Sequence, residues 1–526
     1  MIAIKLSAAL ATLACALSST AQEPARQEAA PHIEIETGAM EGKMQGPIRT
    51  FLGIPYAAPP IGDLRWKPPT PAAHWTGVRK ATDFGARCMQ GPIFSDMSFR
   101  DPGKSEDCLT LNVWTPAKDT SEKLPVMVWI HGGGHQAGAS SEPRQDGEFL
   151  ARRGVVVVSM NYRLGVFGFL VLPELAEESA RNAAGNYGLL DQLAALQWVR
   201  RNIASFGGDP ANVTIFGESA GSFSVSAMMA SPQARGLFSK AIGESGAVFP
   251  KTSALFTSLP DREKADTEFA ESVLGTSVLK ELRAFSAQKI LDATMKTSAR
   301  GFQLGPNVDG YFLPQSASEI FAAGKQNDVP LLAGWNLDEG GSNAGPVTDP
   351  QTIERLNTLA REDFGSKAEE FLRLYPATDD AVAKRSLHDF TGDRSIAWAT
   401  WRWLEADCTT GRKPAYRYRF DRSFPSDIKK EGLGAYHSAE IEYVFGTLDF
   451  KTGVPWRPED RALSDLMQQY WVNFARTGNP NGRGLPKWPV YSAKDGWQVL
   501  YLNSESKSGK DLQRDRYLFL ARVWGK

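Results

Sequence analysis

Residues 155 to 230 hold the feature that most restricts the fold: apolar strand-like runs alternate with helical stripes and close on a serine bracketed by glycines. Val155 to Tyr162 is rich in β-branched residues and apolar on both faces, the pattern of a strand buried inside a parallel sheet. From Leu189 to Phe206 the residues Leu189, Leu193, Leu196, Val199 and Ile203 fall at steps of 4, 3, 3 and 4, a single helical stripe. Gly207-Gly208-Asp209-Pro210 ends that helix, and Val213 to Phe216 predicts another strand. Gly217-Glu218-Ser219-Ala220-Gly221 then turns the chain into a helix over Ser222 to Ala230. Upstream, Val126 to Ile130 reads as a strand running into His131-Gly132-Gly133-Gly134. This alternation predicts an α/β fold with a central, mostly parallel sheet flanked by helices. No internal repeat, low-complexity tract or long linker divides it, so one large domain is expected.

Composition narrows the function. With 42% hydrophobic and 23% charged residues the chain is neither disordered nor fibrous. Its 59 Lys+Arg against 60 Asp+Glu argue against a nucleic-acid partner, which calls for a basic domain. The first 21 residues read separately. Lys5 precedes an apolar run, Leu6 to Leu17, that is too short for a membrane span, and Ser19-Thr20-Ala21 offers small residues for cleavage. We expect an export signal over 1–21, a mature chain from Gln22 that is periplasmic or extracellular, and no transmembrane segment in it. Export permits disulfides. Cys88 and Cys108 bracket a Gly/Pro/Asp-rich loop whose closure would be worth ~3 kcal/mol, and Cys408 is left as a free, partly buried thiol.

The chemistry is concentrated at Ser219. Gly-x-Ser-x-Gly alone is a weak signal in a chain with 48 glycines; its position between a strand and a helix strengthens it. A sharp turn there needs small residues two positions to either side, and the helix that follows aims free N–H groups at the hydroxyl. A serine nucleophile needs a base, and in this architecture the chain order is serine, acid, histidine. Only His388 and His437 follow Ser219. His388 lies in a charged, helical stretch, whereas His437 follows a glycine-rich loop able to carry an imidazole over a sheet edge, so His437 is the expected base. Val329 to Gly334 predicts a strand, with Asp338 and Glu339 in the loop at its C-terminal end, where such sheets present functional groups. Spacing does not choose between these two acids. Gly132, Gly133 and Gly134 follow a strand and let backbone N–H groups approach an oxyanion without Cβ interference. His131 and His135 are separated by those glycines, not by a helical turn, so no metal site is expected.

Beyond these segments the chain resembles the type-B carboxylesterases, the α/β-hydrolase family that includes the cholinesterases, from about residue 32 to the C-terminus. The resemblance rests on Phe51 to Ala57, Ser105 to Leu109, Asn161-Tyr162-Arg163, Phe206 to Pro210, Gly217 to Gly221 and His437 to Gly446. It implies an α/β-hydrolase catalytic domain over 22–526, with Ser219 as nucleophile, Glu339 as acid and His437 as base. It also implies oxyanion donors at Gly133, Gly134 and Ala220, a Cys88–Cys108 bridge, and no cofactor. The expected activity is hydrolysis of small or medium carboxylic esters through an acyl-enzyme. Amide, carbamate or thioester hydrolysis on the same site, or a non-catalytic binding protein on the same scaffold, are the alternatives. Met89 to Asp107 contains Phe94 and Phe99 but no Trp, so the cation–π site of the cholinesterases is not expected. His135 stands where many relatives carry an aromatic residue or Leu, which leaves the polarity of the acyl pocket open. Glu218, beside the nucleophile, reads equally as a modulator of the site or as a buried, hydrogen-bonded acid.

Overall fold

The structure is a computed structural model that describes residues 30–249, 256–296, 304–340, 351–425 and 434–524. The expected export signal over 1–21 lies outside the described residues. Eleven strands form the main sheet: β1 (Lys43–Gln45), β2 (Ile48–Pro55), β3 (Thr110–Thr115), β4 (Leu124–Ile130), β5 (Val156–Met160), β6 (Gly208–Glu218), β7 (Lys240–Glu244), β8 (Leu331–Asn336), β9 (Ala415–Phe420), β10 (Gln498–Leu502) and β11 (Lys507–Lys510). Across the sheet they run β11-β10-β9-β8-β7-β6-β4-β5-β3-β2-β1. From β10 to β5 every neighbouring pair is parallel. Antiparallel strands close both sides.

The all-apolar strands are explained by a sheet covered on both faces. In β4, Val126, Val128 and Ile130 enter one core cluster while Met127 and Trp129 enter another, as the two-residue period of a strand requires. In β5, Val156, Val158 and Met160 follow the first group and Val157 the second. Each such side chain contributes about 1.5–3 kcal/mol by leaving water, so a charge at Val128 would be severely destabilising.

Helix α1 (Tyr187–Asn202) continues as a 3₁₀ turn to Phe206 and ends at Gly207, whose φ of 79° is left-handed. The structure differs from the sequence expectation just afterwards. Asp209-Pro210 does not delay the next strand; β6 begins at Gly208, and its register against β4 shifts between Gly208 and Val213. That irregularity accommodates a proline inside an interior strand. Helix α2 (Ala220–Ala230) starts directly after Ser219, two residues before the predicted start. At the end of β5, the Arg163 guanidinium pairs with both carboxylate oxygens of Asp191 in α1 at 2.8 and 2.7 Å, tying strand to helix. Cys88 and Cys108 are disulfide-bonded, and Cys408 is free and partly buried.

Candidate active site

Three adjacent parallel strands end side by side. Register places Glu218 beside Glu244 and Glu244 beside Gly334. The pairing continues one step past the strands, where Ser219 N–H donates to Glu244 O and Ser245 N–H to Gly334 O, both at 2.8 Å. Ser219 adopts φ 54° and ψ −123°. For a non-glycine residue this conformation costs about 1–3 kcal/mol and persists only where the surroundings enforce it. They do so here: α2 begins at the next residue, and a Cβ on Gly221 would collide with the Ile130 carbonyl oxygen.

The loop after β8 separates the two acids that spacing left equivalent. Glu339 Oε2 lies 2.6 Å from His437 Nδ1. Its Oε1 accepts from Ser245 Oγ at 2.7 Å and from Asn336 N–H at 2.8 Å, so the carboxylate cannot turn freely. Asp338 points elsewhere. Its Oδ2 accepts from the N–H groups of Gly434 and Ala435 at 2.9 and 3.0 Å, and its Oδ1 from Arg385 at 2.6 Å. His388, on helix α3 (Asp380–Gly392), faces Asp338 Oδ1 at 3.6 Å. Burial would raise the Asp338 pKa, but His388 and the Arg385 charge outweigh it and hold the carboxyl below its ordinary value. Asp338 thus anchors the chain just before His437, while Glu339 meets the ring itself.

The other ring nitrogen, His437 Nε2, stands 3.2 Å from Glu218 Oε1, and among the described residues Ser219 Oγ makes no hydrogen bond. Burial disfavours the imidazolium, but Glu218 and then Glu339 attract it more strongly and push the His437 pKa up to about 10. Burial raises Glu218 itself to about 7 despite the opposing pull of His437. Two more buried carboxyls lie within electrostatic reach. Glu244 accepts from Trp471 Nε1 at 2.7 Å and is raised to about 8 by burial. Glu440 accepts from Asn336 Nδ2 at 2.5 Å and is raised well above its usual value, also by burial.

The glycine run forms the opposite wall. Gly133 and Gly134 have φ of 100° and 63°, and Gln136 N–H and Ala137 N–H close a turn on Gly133 O at 3.0 Å each. A Cβ on Gly132 would come within 3.2 Å of Ser219 Cβ, so the run lies directly against the serine. Among the described residues the N–H groups of Gly133, Gly134 and Ala220 donate to no acceptor. His131 stacks on Tyr162 at 4.4 Å, and Tyr162 Oη donates to His131 O at 2.7 Å, which fixes the start of the run. His135 is packed inside the protein. Its ring is 1% exposed, with Nε2 3.1 Å from Ser224 Oγ in α2, and burial lowers its pKa to about 3.

A cavity of about 430 Å³ adjoins the turn after the glycines, lined by Met89, Ile93, Phe94, Val166, Phe167 and Gln136 among others. The wall residue Gln136 donates outward to Leu304 O, and Thr294 to Ile290 O, so these polar groups are used internally.

Sequence reasoning missed Ser245, Asn336 and Glu440. A signal for Ser245 was present: Gly243-Glu244-Ser245 repeats Gly217-Glu218-Ser219 at the end of the next strand. Nothing comparable marks the backbone N–H of Asn336.

Residues 29–520 match the carboxylesterase family. The chain is 36% identical over 523 residues to the fumonisin B1 esterase of Sphingopyxis macrogoltabida, across 94% of this chain and 91% of that protein. It is 37% identical over 500 residues to the para-nitrobenzyl esterase of Bacillus subtilis (strain 168), across 92% and 97%. A solved structure of PNB esterase matches with a TM-score of 0.78 at 35% identity, over 94% of this chain and 100% of that one. The mixed sheet, the strained serine at the head of a helix and the likeness along nearly the whole length agree: the chain belongs to the carboxylesterase family and is a carboxylic ester hydrolase.

Proposed function

We propose that the protein is an exported serine esterase that works through an acyl-enzyme, with Ser219 as nucleophile, His437 as base and Glu339 as acid. The observation that carries this reading is the 2.6 Å contact between Glu339 and His437 Nδ1 beside the strained Ser219. His437 Nε2 turns from Glu218 to Ser219 Oγ and takes its proton as Oγ adds to the ester carbonyl carbon. Oxyanion charge is met by the N–H groups of Gly133, Gly134 and Ala220. The alcohol leaves with the proton from His437. Water, deprotonated by the same nitrogen, then attacks the acyl carbonyl and frees Ser219 and the acid. Glu339, restrained by Ser245 and Asn336, keeps the ring in the Nδ1–H tautomer and stabilises the imidazolium.

The mostly apolar cavity beside the glycine turn supports an uncharged ester of small or medium size as substrate. The test is turnover of aryl esters with acyl chains of two to twelve carbons, paired with fluorophosphonate labelling mapped by mass spectrometry. Label on Ser219 with matching loss of turnover is expected. Label elsewhere, or turnover that survives complete labelling, overturns the assignment. N-terminal analysis of exported material is expected to begin at Gln22.

A further inference from the structure

We infer that Gln90 is a positioning residue for the oxyanion donors: from the disulfide-closed loop it grips the backbone of Gly138 and so holds the turn that presents Gly133 and Gly134. The inference rests on the oxyanion role proposed above. Gln90 lies two residues after Cys88 and is 5% exposed. Its amide donates to Gly138 O at 2.8 Å and to Cys88 O at 3.1 Å, while its Oε1 accepts from Gly138 N–H at 2.9 Å. One side chain therefore satisfies both backbone polar groups of a buried glycine, as a neighbouring strand would.

Gly138 is not a distant anchor. Its φ is 112°, and a Cβ on it would meet the His131 ring and come 2.7 Å from Gly132 O. Its backbone is thus packed on the start of the glycine run, and the residue before it closes the turn onto Gly133 O. The same bridged loop fixes the chain further on, where Arg100 donates to Ser141 O at 3.1 Å and pairs with Asp146 at 2.7 Å. Gln90 is the part of this support that hydrogen-bonds the backbone of the donor turn, against which Met97 of the same loop also packs at Gly133. Oxyanion donors act only when aimed at the place where charge develops. Gln90 also lines the cavity beside the glycine turn, so a replacement of matching length is needed to keep that wall; loosening Gly138 should then weaken transition-state binding more than the ester's ground-state contacts.

The test compares Gln90→Met, which keeps length and loses every hydrogen bond, with Gln90→Glu, which keeps the acceptor for Gly138 N–H. For Gln90→Met, kcat on an aryl ester is expected to fall about ten- to a hundredfold with KM within about twofold, a somewhat smaller loss than deleting a donor outright. Affinity for an aryl trifluoromethyl ketone, which forms an oxyanion on adding Ser219 Oγ, should fall by the same factor. Affinity for the parent methyl ketone should not change. Gln90→Glu should fall between Gln90→Met and wild type. Unchanged kcat and ketone affinity in folded Gln90→Met overturn the inference, as do losses confined to KM or to Tm. Failure of both variants to fold assigns Gln90 to stability and overturns it too. Ser219→Ala is measured alongside, because surviving turnover there would sink the acyl-enzyme reading and not the Gln90 clamp.

Discussion

Two neighbouring strands run out through the same tripeptide with different outcomes. Strand β6 runs out through Gly217-Glu218 into Ser219 and β7 through Gly243-Glu244 into Ser245, paired residue for residue as far as the glutamates. Both serines take left-handed φ values, 54° and 59°. Ser219 is partly exposed, opens a helix and keeps an uncommitted hydroxyl. Ser245 is fully buried and spends its hydroxyl on Glu339. The glutamates diverge likewise: Glu218 faces His437 Nε2, whereas Glu244 is bound to the Trp471 indole. The local sequence makes a strained strand end; what stands over it decides whether the hydroxyl is left uncommitted or bound to a neighbouring carboxylate.

This contrast is most sharply tested at the hydroxyls. Ser219→Ala should fold normally and lose about ten-thousandfold or more in kcat, leaving only binding and oxyanion contributions. Ser245→Ala removes one of the two restraints on Glu339 Oε1 and should cost only about tenfold, with the loss in kcat and not KM. Equal losses in steady-state assays of the two variants would erase the distinction between nucleophile and support.

Next come the acids behind them. Glu339→Gln should lower kcat by about a thousand- to ten-thousandfold at similar KM, because the tautomer and the imidazolium both lose their partner. Asp338→Asn acts differently. It weakens the charged contact to Arg385 while an amide oxygen still receives the N–H groups of Gly434 and Ala435, so thermal stability should fall more than kcat. Stopped-flow turnover together with melting curves separates the two outcomes.

The glutamates predict a shift and not a loss. An ionised Glu218 favours the imidazolium, so it raises the pH at which His437 becomes the neutral base. Glu218→Gln removes that attraction, and the acidic limb of kcat/KM should move to lower pH. Glu244→Gln, aimed at Trp471, should move it far less. A limb that moves upward in Glu218→Gln would contradict the sign of this electrostatics. The smallest effect is expected for His388→Ala, which leaves the Glu339–His437 pair untouched and should keep turnover within about threefold.

Much of the fold was legible because periodicity reports burial directly. The apolar β4 and β5 segments and the stripe on α1 permit few arrangements other than a sheet covered on both faces. The position of Ser219 was legible for a related reason, since a tight strand-to-helix turn needs small neighbours, and those are visible as Gly217 and Gly221. The start of β6 was not, because Asp209-Pro210 carries the local signature of a break that pairing of Gly208 with Leu124 of β4 overrides.

The residues by themselves determined the sheet, the turn at Ser219, the glycine run and a short list of two acids and two histidines. Only the tertiary structure joined that list into pairs. Asp338 and Glu339 are adjacent and chemically alike, and nothing local distinguishes them. The difference arises because successive residues leaving a strand point in different directions, one toward Arg385 and the backbone before His437, the other toward Ser245 and the imidazole. The same holds for Gln90, which is an ordinary loop glutamine in the sequence and meets Gly138 across a separation of 48 positions. Contacts of that span depend on how the chain closes on itself, which no local pattern encodes.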